Sequence, residues 1–315
     1  MSIALVSTFA HALPVLAYWV AHHRTLGVER FYLFVDRAEE LAGYAALPLG
    51  DGVHLIPRDA ALQAEWEQLP GWPYHSQFSA RQVYARQCLN TDVAMRRARA
   101  AGCDWLIHID LDECLHIPEG RGDLATFFGA CRACDMVSFV NHEAVPEQWH
   151  VGNYFAEVTL FKRNGVMLDE AQRAIVKSLF GERYFLAYGN GKSAVNLRGA
   201  ATEADGVHGF RPAPTAHFER DISVLHYTNC GFNWYHQKFA ALGNYDDFWL
   251  GIGEIAKLFP IMEESRRAMV GGDIHRLTQL YEQQLMRQGG LPHALRSLIE
   301  AGVLMRIGEA PLQTI

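Results

Sequence analysis

The sequence lacks an uninterrupted apolar run long enough to cross a membrane, which takes about 20 residues. Its first 21 residues are rich in apolar side chains, but His11 and Pro14 interrupt them and no Lys or Arg precedes Arg24. A secretory leader opens on a basic stretch, so this segment is expected to form the first strand and helix of a fold. Basic charge is also thin. Lys and Arg number 28 against 35 Asp and Glu, a net charge of -7, and the pI is near 6.1. Phosphate backbones are bound by clustered cations, so no nucleic-acid partner is expected. The densest basic run, Arg96-Arg97-Ala98-Arg99, suits a solvated helix face. The six cysteines, Cys88, Cys103, Cys114, Cys131, Cys134 and Cys230, are too dispersed for a disulfide scaffold. Reduced thiols in a cytoplasmic protein are expected, with peripheral attachment at an inner membrane as the other location. Cys131 and Cys134 form a lone CxxC, without the second pair of ligands a zinc site needs.

What is present is ample core material: half of the 315 residues are hydrophobic and a fifth are charged. Ile3–Val6, Phe31–Val35 and Val53–Ile56 are short apolar runs that suit buried strands. Between the first two, Val15, Leu16, Trp19, Val20 and His23 make a helical stripe that follows Pro14 and stops near Gly27. Residues 76–101 contain no Gly or Pro and predict one long helix. Trp105–Ile109 predicts the next strand, Leu124–Ala133 a helix and Met136–Val140 a strand. Residues 157–162 alternate polar and apolar, as a half-exposed strand would. Ile222–His226 is one last strand, and helices follow from Phe232. Strands alternating with helices imply an α/β layered fold with a mostly parallel central sheet flanked by helices. The expected organisation is one domain over residues 1–230, with a helical C-terminal appendage over 231–315 packed on it.

One cluster carries chemistry. Trp105–Ile109 delivers the chain into Asp110-Leu111-Asp112-Glu113, at the carboxyl end of a strand, where open α/β sheets place ligands. In an extended strand end Asp110 and Asp112 point to one side, with Leu111 turned inward. Two such carboxylates need a counter-charge, and Mg2+ or Mn2+ supplies one while also gripping substrate phosphates.

This segment resembles the DxD segment of GT-A glycosyltransferases, in particular a family 2-like group with D-x-D-E. The opening is similar too: Ala4–Thr8, then Leu16–Val28 with its W-x-x-H-H-x-x-x-G pattern, then Phe31–Asp36. Gly191-Lys192-Ser193 and His226-Tyr227 with Lys238 also fit that group, so the resemblance covers residues 3 to 240. It implies a Rossmann-like GT-A fold and an enzyme that moves a sugar from a nucleotide diphosphate donor, UDP-sugars favoured, to an acceptor hydroxyl. The acceptor class stays open among glycans, lipid-linked molecules and small molecules. It further implies that Thr8 and Asp36 contact the base and ribose, and that Asp110 and Asp112 hold Mn2+ or Mg2+. His226 is then the third metal ligand, with His208 its competitor, and Glu113 another ligand or supporting partner. Lys192 in its glycine-rich stretch would meet the diphosphate, and Arg86 would face the nucleotide. Inversion, the usual outcome in that group, needs a general base. Glu143 at a strand end is preferred over Glu147, Glu170 and Asp205, and the loop around Trp149 offers a ring for sugar stacking.

Two other readings compete. Ile109–Cys114 is close to the nucleophile motif of haloacid dehalogenase-type phosphatases, with Asp110 as nucleophile, Asp112 as acid/base and Asp246-Asp247 on Mg2+. Against it, Cys114 stands where Thr or Val belongs, and about 100 organised residues precede a motif that normally opens that fold. The other reading is a module that binds a nucleotide sugar or glycan without turnover.

Overall fold

The computed structural model describes residues 1–181, 184–243, 248–250, 253–289 and 294–307. In chain order the elements begin with β1 (Ile3–Phe9), α1 (Leu16–Thr25), β2 (Arg30–Val35), α2 (Leu41–Ala45), β3 (Val53–Pro57) and α3 (Ala60–Trp66). Then come α4 (Trp72–Ser79), α5 (Val83–Ala100), β4 (Trp105–His108), β5 (Glu113–His116), α6 (Leu124–Ala130) and β6 (Met136–Ala144). The middle of the chain forms α7 (Tyr154–Glu157), β7 (Leu160–Lys162), α8 (Glu170–Phe180), β8 (Lys192–Asn196), β9 (Glu203–Asp205), β10 (Gly209–Arg211) and β11 (Ala216–His226). The C-terminal part carries α9 (Phe232–Leu242), β12 (Phe248–Trp249), β13 (Gly253–Glu254), α10 (Ile255–Leu258), α11 (Pro260–Val270), α12 (Ile274–Gly289), α13 (Leu295–Glu300) and β14 (Leu304–Arg306).

The chain divides into two compact units. One comprises Met1–Val140, Gly191–Val224 and Trp249–Gly251; the other comprises Asn141–Asn190, Leu225–Phe248 and Ile252–Ile315. The division is interleaved along the chain rather than sequential. The reason is local: β6 and β11 each begin in the first unit and end in the second.

The first unit is a Rossmann-like α/β layer. Its strands run in the order β6-β8-β4-β1-β2-β3. β1 pairs in parallel with β2 and β4, and β2 with β3. β8 is antiparallel to both β4 and β6, so β8 alone in this row runs against the others. Period-2 alternation sends Ala4 and Val6 of β1 to one face, where they pack with Leu89, Val93 and Met95 of α5 and with Trp66. That continuous apolar surface explains why α5 forms despite its many polar residues: tertiary burial outweighs local propensity.

The long helix expected over 76–101 is broken into α4 and α5, although no Gly or Pro intervenes. Long-range bonds break it. Gln82 is extended (φ -114, ψ 119), and its side-chain oxygen accepts the Leu250 N–H at 2.9 Å. The Ser79 carbonyl accepts instead from the Arg86 guanidinium at 2.9 Å.

The second unit holds β7 between β14 and the end of β6, all antiparallel. One core gathers Leu160, Leu168, Val176, Leu298 and Leu304; another gathers Tyr235, Phe239, Leu277, Leu280 and Tyr281. The half-exposed strand expected over 157–162 becomes the end of α7 and a fully buried β7. Its polar residue, Lys162, points inward because Glu143 lies directly opposite it in the β6–β7 register. α8 opens on a capping box, Asp169 with Gln172, a signal written in the sequence as D-x-x-Q. Among the described residues no helix is long and apolar enough to cross a membrane.

Candidate functional site

The row order places a topological switch point between β1 and β4: the chain goes from β1 outward to β3, then returns to the other side of β1. Ligands of open α/β sheets bind outside the strand carboxyl ends at such a point. Thr8 near the end of β1, Asp36 just past β2 and Asp110 just past β4 all stand at that edge. Lys192 begins β8, and because β8 is antiparallel to β4, with His108 opposite Ser193, its first residue reaches the same edge.

One helix holds three of these residues. Arg86 of α5 makes a two-pronged ion pair with Asp36, 2.6 Å at each nitrogen. Gln87 donates to Asp110 Oδ1 at 2.6 Å. Asn90 donates to Thr8 Oγ1 at 2.9 Å and accepts from the Trp66 indole N–H at 2.9 Å. Gln87 and Asn90, which hold Asp110 and Thr8 at this edge, are positions that sequence reasoning missed. The available signal was a cluster of polar residues on the buried side of a helix, where polar groups need partners.

The acidic segment is a closed turn, which corrects the expected extended strand end. Glu113 N–H donates to the Asp110 carbonyl at 3.1 Å, and the Glu113 carboxylate accepts the Asp110 N–H at 2.6 Å. Leu111 is buried as expected, and Asp112 is half-buried. Glu113 is wholly buried, so its role is to shape the turn. A counter-charge for Asp110 comes from Lys192. Its fully buried ammonium is 2.6 Å from Asp110 Oδ2 and 3.7 Å from Glu113 Oε2. Burial is the largest influence and would raise the Asp110 carboxyl, but the charge and hydrogen bond of Lys192, together with His108, outweigh it and hold the carboxyl below the usual value. Burial would likewise lower Lys192, and Asp110 followed by Glu113 outweighs it. His108, under this pair, is pushed down to about 3 by burial and then by Lys192, so it is neutral. Gly191 (φ +73) brings the chain into β8 where a Cβ would lie 1.9 Å from the Phe139 carbonyl. Only glycine fits that approach.

The other end of the turn is gripped by α1. Trp19 Nε1–H donates to the Glu113 carbonyl at 2.6 Å. His22 Nε2–H donates to the Leu115 carbonyl at 2.7 Å. Leu115 N–H donates to His23 Nε2 at 3.2 Å, while His23 Nδ1–H donates to the Trp19 carbonyl at 2.8 Å. The W-x-x-H-H spacing thus serves both backbone groups of Leu115. Ligand atoms of His22, His23 and Cys114 lie within 4.8 Å of one another, yet both ring nitrogens of His23 are committed to the backbone, so this is a clamp rather than a metal centre.

The clamp has a pH signature. Burial lowers both His22 and His23 below the ordinary 6.5, and His22 Nδ1 is buried with no hydrogen-bond partner. The unfolded chain therefore takes up protons first. Stability is full above about pH 6.5 and falls as pH drops toward the lowered folded values, by about 1.4 kcal/mol per pH unit per histidine. Asp92, pushed up to about 7 by burial, works in the opposite direction between its unfolded and folded values. Three buried histidines, His22, His23 and His108, outweigh it. Urea midpoints between pH 7.5 and 5.5 are expected to fall, and His22→Gln is expected to remove one histidine's share. An identical slope in the two proteins would dismiss His22 from the account.

Two expected site residues lie in the second unit. His226 ends β11, is buried, and stacks on Tyr188 with ring centroids 4.8 Å apart. Glu143 has no exposure. Its oxygens accept from Lys162 at 2.9 Å, from Leu186 N–H at 3.0 and 2.8 Å, and from Ala187 N–H at 2.8 Å. Those bonds occupy the lone pairs a general base would use. Trp149 is packed face-to-face on Phe232, 5.2 Å between centroids. His208 is in the first unit, where its Nδ1–H donates to the Gly191 carbonyl at 2.7 Å. Of the phosphatase motif, Asp246 and Asp247 lie outside the described residues, and the acidic turn follows the fourth strand rather than the first.

No family model matches the chain. Over 228 residues, 67% of its length, it is 31% identical to the glycosyltransferase-like protein At3g57200 of Arabidopsis thaliana, covering 44% of that protein. Over 233 residues, 68% of its length, it is 30% identical to the glycosyltransferase-like protein At2g41451 of the same plant, covering 51% of it. The chain spans about half the length of the curated relatives it matches.

Proposed function

We propose that the chain is a glycosyltransferase of the GT-A type, taking a sugar from a nucleoside diphosphate donor, UDP-sugars favoured, to an acceptor hydroxyl. The observation that carries the reading is the acidic turn with its buried lysine at the switch-point edge, in a chain similar to two glycosyltransferase-like proteins. Thr8 and Asp36 meet the base and ribose. Each Asp36 oxygen keeps a second lone pair beyond its bond to Arg86, enough to accept an imide N–H or a ribose hydroxyl. Lys192, fully buried against Asp110 and Glu113, does not reach the diphosphate itself and serves the site by holding the Asp110 carboxylate in place.

The donor set suits Mg2+ or Mn2+, which take hard oxygen ligands. Asp110 already bonds Lys192 and Gln87 through both oxygens, so half-buried Asp112 is the principal protein ligand and Asp110 the orienting one. When bound, the ion neutralises charge developing on the leaving diphosphate. Inversion is the proposed stereochemical outcome.

A thermal-shift series with UDP, other nucleoside diphosphates and UDP-sugars, with and without Mn2+, tests this. A ligand that binds only the folded chain stabilises it by about 2.7 kcal/mol at 100 times its Kd. UDP with Mn2+ is expected to raise the midpoint of the wild type and to leave Asp112→Asn unmoved. Metal-dependent UDP binding that survives in Asp112→Asn would refute the assignment of Asp112. Absence of any nucleotide response in the wild type would refute the donor.

A further inference from the structure

The CxxC of the first unit takes no part in the site above, and its geometry is unusual for an idle pair. α6 ends at Ala130, and Cys131 to Cys134 form a turn closed by the Cys134 N–H donating to the Cys131 carbonyl at 2.9 Å. Such a turn holds its end Cα atoms within about 7 Å, and a disulfide needs about 4.4–6.8 Å. The turn is pinned from outside. The Asn196 amide donates to the carbonyls of Arg132 and Cys134 at 3.2 and 3.0 Å. Thr215 Oγ1 donates to the Ala133 carbonyl at 3.1 Å. Asp135, next along, accepts from Ala200 N–H and Thr215 N–H at 2.7 and 3.1 Å.

The two thiols differ in access. Cys131 is buried, whereas Cys134 is half-buried and lines a cavity of about 510 Å³ with Arg132, Asp104, Asn196 and Arg198. That cavity borders Trp105 at the start of β4 and Asn196 at the end of β8, the sheet edge opposite the acidic turn. Among the described residues, no His, Asp or Glu joins these two sulfurs in a set of three metal ligands. Zinc would need four.

We propose that Cys131 and Cys134 are a redox modification site that closes to an intramolecular disulfide by exchange with a low-molecular-weight disulfide such as oxidised glutathione. The Cys134 thiolate attacks one glutathione sulfur, and one glutathione leaves as its thiol. The Cys131 thiolate then attacks the Cys134 sulfur, and the second glutathione leaves. Two protein thiols are oxidised to one disulfide, one glutathione disulfide is reduced to two thiols, and the two protons pass to the departing glutathiones. Burial first, then the neighbouring Cys134 thiol, pushes Cys131 up to about 11. Closure is therefore slow. A thiol pair not stabilised as thiolate also leaves the oxidised form the harder to reduce.

The sequence supplies a clean readout, because trypsin cuts after Arg132, between the two cysteines. The folded full chain is incubated with oxidised glutathione near pH 8.5, its remaining thiols are alkylated, and it is digested without reductant. The expected product is one linked species of residues 122–132 and 133–162, lighter by two hydrogens than the two peptides together and separated by reductant. Cys131→Ser is expected to keep glutathione on Cys134, since nothing resolves it. Separate alkylated peptides from the wild type would overturn the proposal. So would glutathione retained on wild-type Cys134 to the same extent as in Cys131→Ser.

Discussion

Lys192→Met is expected to lower the stability of the folded chain by about 3 kcal/mol, the lower end of what removing one partner of a buried ion pair costs. The ammonium is fully buried, whereas the Asp110 side chain keeps 25% of its exposure, so water relieves part of the loss. Methionine matches the aliphatic stem and leaves Asp110 and Glu113 facing each other without their cation. The natural response is for Asp110 to take up a proton. In the wild type the depressed Asp110 contributes stability above its unfolded value of 3.8 that is lost as pH falls through the folded one. In the variant burial pushes that carboxyl the other way, so the variant gains relative to the wild type as pH falls from 7 to 5. Urea unfolding at the two pH values reads this directly. Asp110→Asn in the Lys192→Met background is expected to recover stability, because residues in direct contact are not additive. Strict additivity of the two single changes would show that the pair does not interact as the geometry indicates.

The same residues show how far the sequence was legible. Asp110 and Asp112 stood out because they follow a buried apolar run, where periodicity changes and polar residues carry information, and Lys192 because it lies in a glycine-rich stretch. β1 to β4 and β6 were legible because each is a short, apolar and punctuated run, whereas β5, β8 and β14 were not expected. What the sequence hid are the bonds spanning long separations. Gln87 meets Asp110 across 23 residues and Asn90 meets Thr8 across 82. Read locally, both are ordinary polar residues of a helix. The break between α4 and α5 was hidden likewise, since the Leu250 N–H that holds Gln82 lies 168 residues away. The Trp19-His22-His23 spacing was visible as a resemblance, but its physical content, a clamp on Leu115, appears only when β5 is in place. The counter-charge is the instructive case. A metal was the economical inference for two adjacent carboxylates, and a buried lysine 82 residues downstream supplies the same charge for Asp110.

The second large effect is expected in the other unit, at the Glu143–Lys162 pair, where neither side chain has any exposure. Glu143→Gln is expected to cost about 3–5 kcal/mol. Lys162 would keep the Tyr184 carbonyl at 2.6 Å and the rings of Phe180 and Tyr184 at 5.6 Å from its ammonium, and none of these supplies a negative charge. Burial already lowers Lys162 below 10.5, with Glu143 opposing it. A lysine with a depressed folded value binds its proton more tightly when unfolded, so stability rises with pH between the folded and unfolded values. Removing the carboxylate extends that window downward. Glu143→Gln should therefore regain stability between pH 7 and 9 more steeply than the wild type does. Replacing both residues, Glu143→Gln with Lys162→Met, is expected to restore most of the loss, since the buried cation is gone and the amide oxygen still accepts from the Leu186 and Ala187 N–H groups. Chemical unfolding of the four proteins completes the cycle. If Glu143 were instead the catalytic base, Glu143→Gln would keep wild-type stability and lose only sugar transfer. That pattern would require a carboxylate with a free lone pair, whereas this one is bonded to an ammonium and two backbone N–H groups.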